Sequence, residues 1–181
     1  MLEAVLWSAA GFLAGAIPFS VLLGKCVLHT DIRAYGDGNP GSANVTRAGG
    51  KAVGFAALLL DYLKGAVPVG LAVWGAGLSG WQLTPVALAP VLGHAFSPFL
   101  GLRGGKAIAT TFGVWTGLTV WQAPTVLRLT LALALLFQEV DGWSVMIGMA
   151  TSMMTCLTTF QHTASRRLSC SIPATRPARS A

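Results

Sequence analysis

Long apolar runs alternate with short polar ones along the chain. The apolar runs lie near residues 4–24, 52–74, 84–100 and 107–122, with more apolar sequence somewhere in 125–160. A helix needs roughly 20 apolar residues to cross a bilayer. The pattern therefore predicts an all-α, polytopic membrane bundle with five to seven spans, several of them shortened or broken by Gly and Pro. Gly11/Gly15, Gly50/Gly54 and Gly113/Gly117 are small residues four apart, a spacing that lets membrane helices pack closely.

Composition supports this. Of 181 residues, 54% are hydrophobic and 10% charged, and the mean hydropathy is +0.66; soluble domains carry about 25% charged residues. The first residues, MLEAVLWSAAG, contain no Lys or Arg and so lack the basic segment of a secretory signal; 4–24 is expected to be a retained first span. Three cysteines without a CxxC pair support neither a disulfide framework nor a zinc site, and no metal or other cofactor is expected.

The net charge of +6 does not mark a nucleic-acid partner, because the cations sit in loops and in the tail. The 25–51 loop holds Lys25, Arg33, Arg47 and Lys51, the 101–106 loop holds Arg103 and Lys106, and the 75–83 loop has no charge. Basic loops stay cytoplasmic. The N-terminus is then outside, and both glycine-rich loops face the cytoplasm. The basic tail (Arg166, Arg167, Arg176, Arg179) asks for an odd number of crossings, which five and seven both satisfy. The domain reading is one transmembrane domain over 1–165 and a basic, disordered tail over 166–181.

Two polar stretches carry the candidate chemistry. Residues 36–50, GDGNPGSANVTRAGG, read as a loop. Gly38, Gly41 and Gly49 allow backbone to approach a ligand, Ser42, Asn44 and Thr46 supply donors, and Arg47 supplies a planar fork suited to phosphate. Successive backbone amides also form concavities that hold phosphate oxygens. The second stretch, VLGHAFSPFLGLRGGKAIATTF at 91–112, brings Arg103, Gly104, Gly105 and Lys106 into a turn, with a helix expected to begin near Lys106. It is not a nucleotide-hydrolysing phosphate loop, which requires Ser or Thr directly after the Lys; residue 107 is Ala. His94 and Ser97 precede that turn. His94 is either a satisfied histidine at the membrane edge or a group that acts at the second anion loop. Asp61 and Lys64 stand three apart on one helix face, as a structural ion pair or as a support that orients the loops. Ionisable residues at membrane depth usually face the protein interior.

GNPGSANVTRAGGKA, LLLDYLKGAVPV and GHAFSPFLGLRGGKAIATTFG, in that order, resemble the bacterial acyl-phosphate:glycerol-3-phosphate acyltransferases, the PlsY family. The resemblance runs from about residue 4 to about residue 117. Members usually end in a tail like RHRxNIxRLL; here His162 followed by Arg166, Arg167 and Leu168 echoes it, without the Asn. The resemblance implies a multi-pass protein of the bacterial inner membrane with its motifs on the cytoplasmic side. It implies transfer of an acyl group from acyl phosphate to the 1-hydroxyl of glycerol 3-phosphate, giving lysophosphatidic acid for phospholipid synthesis. Neither acyl carrier protein nor coenzyme A is the direct donor in that family, so the partners are acyl phosphate, glycerol 3-phosphate and membrane lipid, with no obligatory protein partner. It carries the first motif onto Gly41, Ser42, Asn44 and Arg47, and the second onto His94, Gly104, Gly105 and Lys106.

Acyl phosphate is already activated, so a covalent nucleophile is not required. The work is to hold two anions together and stabilise the oxyanion and the departing phosphate. Arg47 and Lys106 are assigned to phosphate, with Arg103 beside them, and Ser42 and Asn44 to hydrogen bonds. His94 and the substrate's own phosphate compete for the role of proton acceptor. Two other classes fit a membrane chain with polar loops. One is a transporter of a phosphorylated solute, which an internal inverted repeat would favour. The other is a non-catalytic scaffold, which would need neither Arg47 nor Lys106.

Overall fold

Pro18 splits the first apolar run into two helices. In a computed structural model of the chain, α1 spans Leu2–Ala16 and α2 spans Phe19–Cys26. A proline has no N–H to offer the preceding turn, and carbonyls released at membrane depth must find other donors. Ser97 Oγ donates to the Ala16 carbonyl at 2.6 Å, and Lys64 Nζ donates to the Ile17 carbonyl at 2.9 Å. The break is thus tied to two distant segments.

The next helices are α3 (Ser42–Gly70), α4 (Leu83–Ala95) and α5 (Ile108–Thr119). A widened π-type turn over Leu71–Gly75 continues α3, and short 3₁₀ turns stand at Ile32–Ala34, Gly80–Gln82 and Pro98–Leu100. The structure describes residues 1–120 continuously, and beyond them Gln122, Thr125, Val126, Leu129 and Thr151. The expected fifth span in 125–160, His162 and the basic tail lie outside the described residues. Residues 1–121 form one compact unit and 122–181 a second; all five helices belong to the first.

Three stretches of the first unit are long and apolar enough to cross a bilayer: Leu2–Cys26, Ser42–Gly75 and Gly80–Leu100. They match the first three expected spans, the second of them lengthened at its start. Leu6, Phe55, Leu59 and Leu88 are among the many large apolar side chains exposed on the helix surfaces, as expected where the surrounding solvent is lipid. Helix α1 packs along α4, and α3 along α5. The crossings depend on missing side chains. A Cβ on Gly15 would strike the Pro90 backbone, one on Gly93 the Phe12 carbonyl, and one on Gly113 the Tyr62 carbonyl.

Two expectations change here. Residues 36–50 are not a continuous loop: Ser42–Gly49 is helical, a first arm of α3 that ends at Gly50, where φ is 82° and ψ 177°. Local composition favours a loop, but Val45, on that arm, is fully buried in a cluster with Val21, Ile32 and Ala57, and this packing holds the arm helical. Gly50 is consequently a hinge that glycine alone occupies cheaply, not a partner of Gly54 at a helix crossing. Gly54 instead lets Thr46 fold against the main rod.

Candidate anion site

The arm of α3, the loop before it and the Pro98–Ala107 loop meet at one end of the bundle. Their junction is Asp37. Its Oδ2 lies 2.8 Å from Lys106 Nζ, and its Oδ1 accepts from the Asn39 N–H at 3.2 Å and from Asn44 Nδ2 at 3.1 Å. Asn44 Nδ2 also donates to the Asn39 carbonyl, and Asn44 Oδ1 accepts from Arg47 at 2.6 Å. A continuous polar chain, Lys106–Asp37–Asn44–Arg47, therefore joins the two motifs. Sequence reasoning placed both loops on one face; the geometry brings them into contact.

Beside this chain opens a cleft of about 640 Å³, lined by Arg33, Asp37, Gly38, Asn39, Pro40, Leu100, Arg103, Gly104 and Lys106. Its cations are Arg33, Arg103 and Lys106. Arg33 is held by both carboxylate oxygens of Asp31, and that hydrogen bonding pushes Asp31 down to about 2. The Lys106 hydrogen bond pushes Asp37 down to about 2 as well, from an ordinary 3.8. A lowered carboxylate pKa stabilises the fold above its ordinary value, and that contribution is lost as pH falls through about 2. The Asp37–Lys106 bond is accordingly intact throughout the neutral range.

The glycines of the second loop act differently from the expectation. The Gly104 N–H donates to the Ala95 carbonyl at 3.0 Å, and the Gly105 N–H to the His94 carbonyl at 3.2 Å. They close the C-terminal end of α4, whose last carbonyls have no helical donors, so these two amides are not presented to a ligand. Both positions require glycine for close approach: a Cβ on Gly104 would strike the His94 and Ala95 carbonyls, and one on Gly105 the His94 ring. The cations that this loop brings to the cleft are Arg103 and Lys106. Helix α5 begins at Ile108, two residues later than expected, because Ala107 takes a left-handed φ of 56°. Gly41 is the residue before α3 and Ser42 its first residue, so both stand at a helix N-terminus, where the dipole favours an anion.

His94 lies beneath Gly105 rather than in the cleft wall. It is 8% exposed, and its Nδ1 is 3.4 Å from Thr110 Oγ1 and 4.0 Å from Asp61 Oδ1. It belongs to a buried polar cluster. Asp61 Oδ1 is 2.7 Å from Lys64 Nζ, Asp61 Oδ2 accepts from Ser20 at 2.7 Å, and Thr110 Oγ1 donates to the Asp61 carbonyl at 2.9 Å. The cluster ties α2, α3, α4 and α5 together just under the loops. It contains the buried Asp61–Lys64 ion pair, and the His94 carbonyl accepts from the Gly105 N–H of the loop.

Asp37, Asn39 and Ser20 were not singled out from sequence. For the first two a signal existed. Asp-x-Asn marks a turn in which the Asp side chain accepts a backbone N–H two residues on, as Asp37 does from Asn39. Ser20 gives no such signal, since its role comes from contact with a residue 41 positions away.

The glycerol-3-phosphate acyltransferase family model matches residues 5–174. The chain belongs to this family. The match extends past residue 117, where the sequence resemblance stopped. The acyltransferases similar to this chain include one from Thermotoga maritima, 43% identical over 151 residues, covering 77% of this chain and 74% of that one. One from Aquifex aeolicus is 35% identical over 168 residues, covering 83% and 87%. One from an Anaeromyxobacter species is 48% identical over 118 residues; this chain spans 58% of its length. Among solved structures, PlsY, an integral membrane glycerol 3-phosphate acyltransferase, superposes in its glycerol 3-phosphate form with a TM-score of 0.76 at 31% identity, covering 86% of this chain and 77% of that one. Its lysophosphatidic acid form gives 0.74 at the same identity. As an acyltransferase-family member with three bilayer-length apolar stretches, the chain is an all-α membrane protein.

Proposed function

We propose that the protein transfers an acyl group from acyl phosphate to glycerol 3-phosphate, making lysophosphatidic acid for phospholipid synthesis at the bacterial inner membrane. The observation that carries this reading is the junction of the two motifs in one cation-lined cleft at the end of a bundle of membrane length. Both substrates carry phosphate, and the transferred chain is apolar. Arg47, Arg103 and Lys106 receive the phosphate groups. Asn44 holds the Arg47 fork in place, and Gly41 and Ser42 contribute the α3 N-terminus. The acyl chain lies in lipid beside the helices. The domain covers 1–165, with 166–181 as a basic tail. The direct test is a transfer assay on purified full-length protein. Acyl phosphate is expected to support lysophosphatidic acid formation and acyl-CoA is not; activity with acyl-CoA alone refutes the donor, and no product from either refutes the reading.

His94, buried beneath Gly105 next to the cleft, is the proposed acceptor of the hydroxyl proton. His94→Ala is expected to lower turnover by about 10²-fold, the lower end for general-base loss, with KM for glycerol 3-phosphate nearly unchanged. The acidic limb of the pH–rate profile should disappear with it. Persistence of that limb would transfer the role to the substrate's phosphate.

The proposed topology places the N-terminus outside and both cation-bearing loops in the cytoplasm. Single cysteines at Ala43 and Ala76, in a background without Cys26, Cys156 and Cys170, should react with an impermeant reagent from opposite sides. Labelling from one side only would reject this orientation.

A further inference from the structure

Lys106 is engaged before any ligand arrives. Its ammonium rests 2.8 Å from Asp37, and the two side chains are 65% and 50% exposed. The two partners are not equally free to move. Asp37 is seated by two neutral donors, the Asn39 N–H and the Asn44 amide, which hold it whether or not Lys106 is present. Lys106 sits on a flexible four-carbon stem whose ammonium is a point charge without a preferred direction. A phosphate entering the cleft meets two opposed effects: the attraction of Lys106, and the fixed negative charge that holds Lys106.

We infer that Asp37 is the resting counter-ion of Lys106 and sets the affinity of the cleft for phosphate. Lys106 leaves the seated carboxylate for the incoming phosphate group and returns to it as product departs. The inference rests on the reading of Lys106 as a phosphate-binding residue. It assigns Asp37 a role opposite to that of a simple tie between loops. A tie strengthens binding by ordering the site, whereas a competing counter-ion weakens binding and hastens release. Asp37 touches no substrate in this account; it acts through Lys106. The carboxylate remains ionised across the neutral range, so the exchange is driven by the ligand's charge and not by mild acid.

The test is initial-rate kinetics of the purified full chain, with glycerol 3-phosphate as varied substrate and inorganic phosphate as inhibitor. Asp37→Asn keeps an oxygen to accept from Asn39 and Asn44 while removing the charge. It should lower both the KM for glycerol 3-phosphate and the inhibition constant for phosphate by roughly three- to fivefold, about the worth of an exposed ion pair. In a Lys106→Ala background the same substitution should shift them less than about twofold, because the partner is gone. Two results would overturn the inference alone: Asp37→Asn leaving both constants unchanged or raised while Lys106→Ala weakens them, or both Asp37→Asn and Asp37→Ala failing to fold. Either makes Asp37 a structural tie. Unchanged constants in Lys106→Ala would instead remove the phosphate role of Lys106, and the inference with it.

Discussion

Lys64→Met should destabilise the folded protein by about 3–5 kcal/mol, the range for breaking a buried ion pair by removing one partner. Lys64 and Asp61 are 6% and 3% exposed, and their nearest charged atoms are 2.7 Å apart. Asp61 Oδ1 has no aligned hydrogen-bond donor, so its compensation is the charge of Lys64. Without the ammonium, a carboxylate stays buried among helices with only the Ser20 hydroxyl on its other oxygen, and the Ile17 carbonyl at the Pro18 break loses its donor. Asp61→Ala should be similarly harmful, since it buries an unpaired ammonium. The double variant Asp61→Ala/Lys64→Met should recover at least half of the loss, because replacing both partners removes the uncompensated charge. Thermal unfolding of detergent-solubilised protein, followed by circular dichroism, measures all three. Single variants within about 1 kcal/mol of the parent would show that the cluster is hydrated or otherwise neutralised.

Arg47→Ala should reduce kcat/KM by about 10²–10³-fold, or about 2.7–4 kcal/mol of transition-state stabilisation, by comparison with removal of an oxyanion donor. The guanidinium is exposed, and one nitrogen is fixed on Asn44 Oδ1 at 2.6 Å. It also closes over Gly36, where an added Cβ would strike the same nitrogen. The fork is preorganised by its neighbours, which reduces the ordering cost when phosphate binds. Arg47→Lys should recover little: an ammonium cannot hold Asn44 and present a planar pair of donors together. Because Arg47 is exposed, its loss should leave the thermal midpoint nearly unchanged, which separates this result from a folding defect. Near-parental turnover in Arg47→Ala would remove it from the site.

The parts of the fold that were legible in the chain share one cause. Bilayer-length apolar runs and sparse charge follow from a requirement that acts on each segment separately, namely that backbone polar groups be satisfied within the segment when the solvent is lipid, and glycines four apart mark where helices can approach closely. The three long apolar stretches and the crossings at Gly15 and Gly113 were therefore readable one segment at a time. So were the residue types of an anion site, since phosphate demands cations and small donors wherever it binds. The helical arm Ser42–Gly49 was not readable. Its glycines and polar residues favour a loop locally, and it is helical because Val45 is buried against residues from α2, the following 3₁₀ turn and the main rod of α3.

The use of the second glycine pair was hidden for the same reason. Gly104 and Gly105 look like amides offered to phosphate, yet they serve the end of α4, whose orphan carbonyls are visible only once the helix end is placed beside them. His94, Asp61 and Lys64 could each be suspected as ionisable groups at membrane depth. That they form one cluster with Ser20 and Thr110 depends on four helices meeting. By itself the sequence determined the class of protein, the number of its long apolar segments in the first 100 residues, and the residue types that its candidate site collects. Only the tertiary structure decided which donors remain available to a ligand and that Asp37 occupies Lys106, because hydrogen-bond partners 69 residues apart are chosen by packing and leave no local mark in the chain.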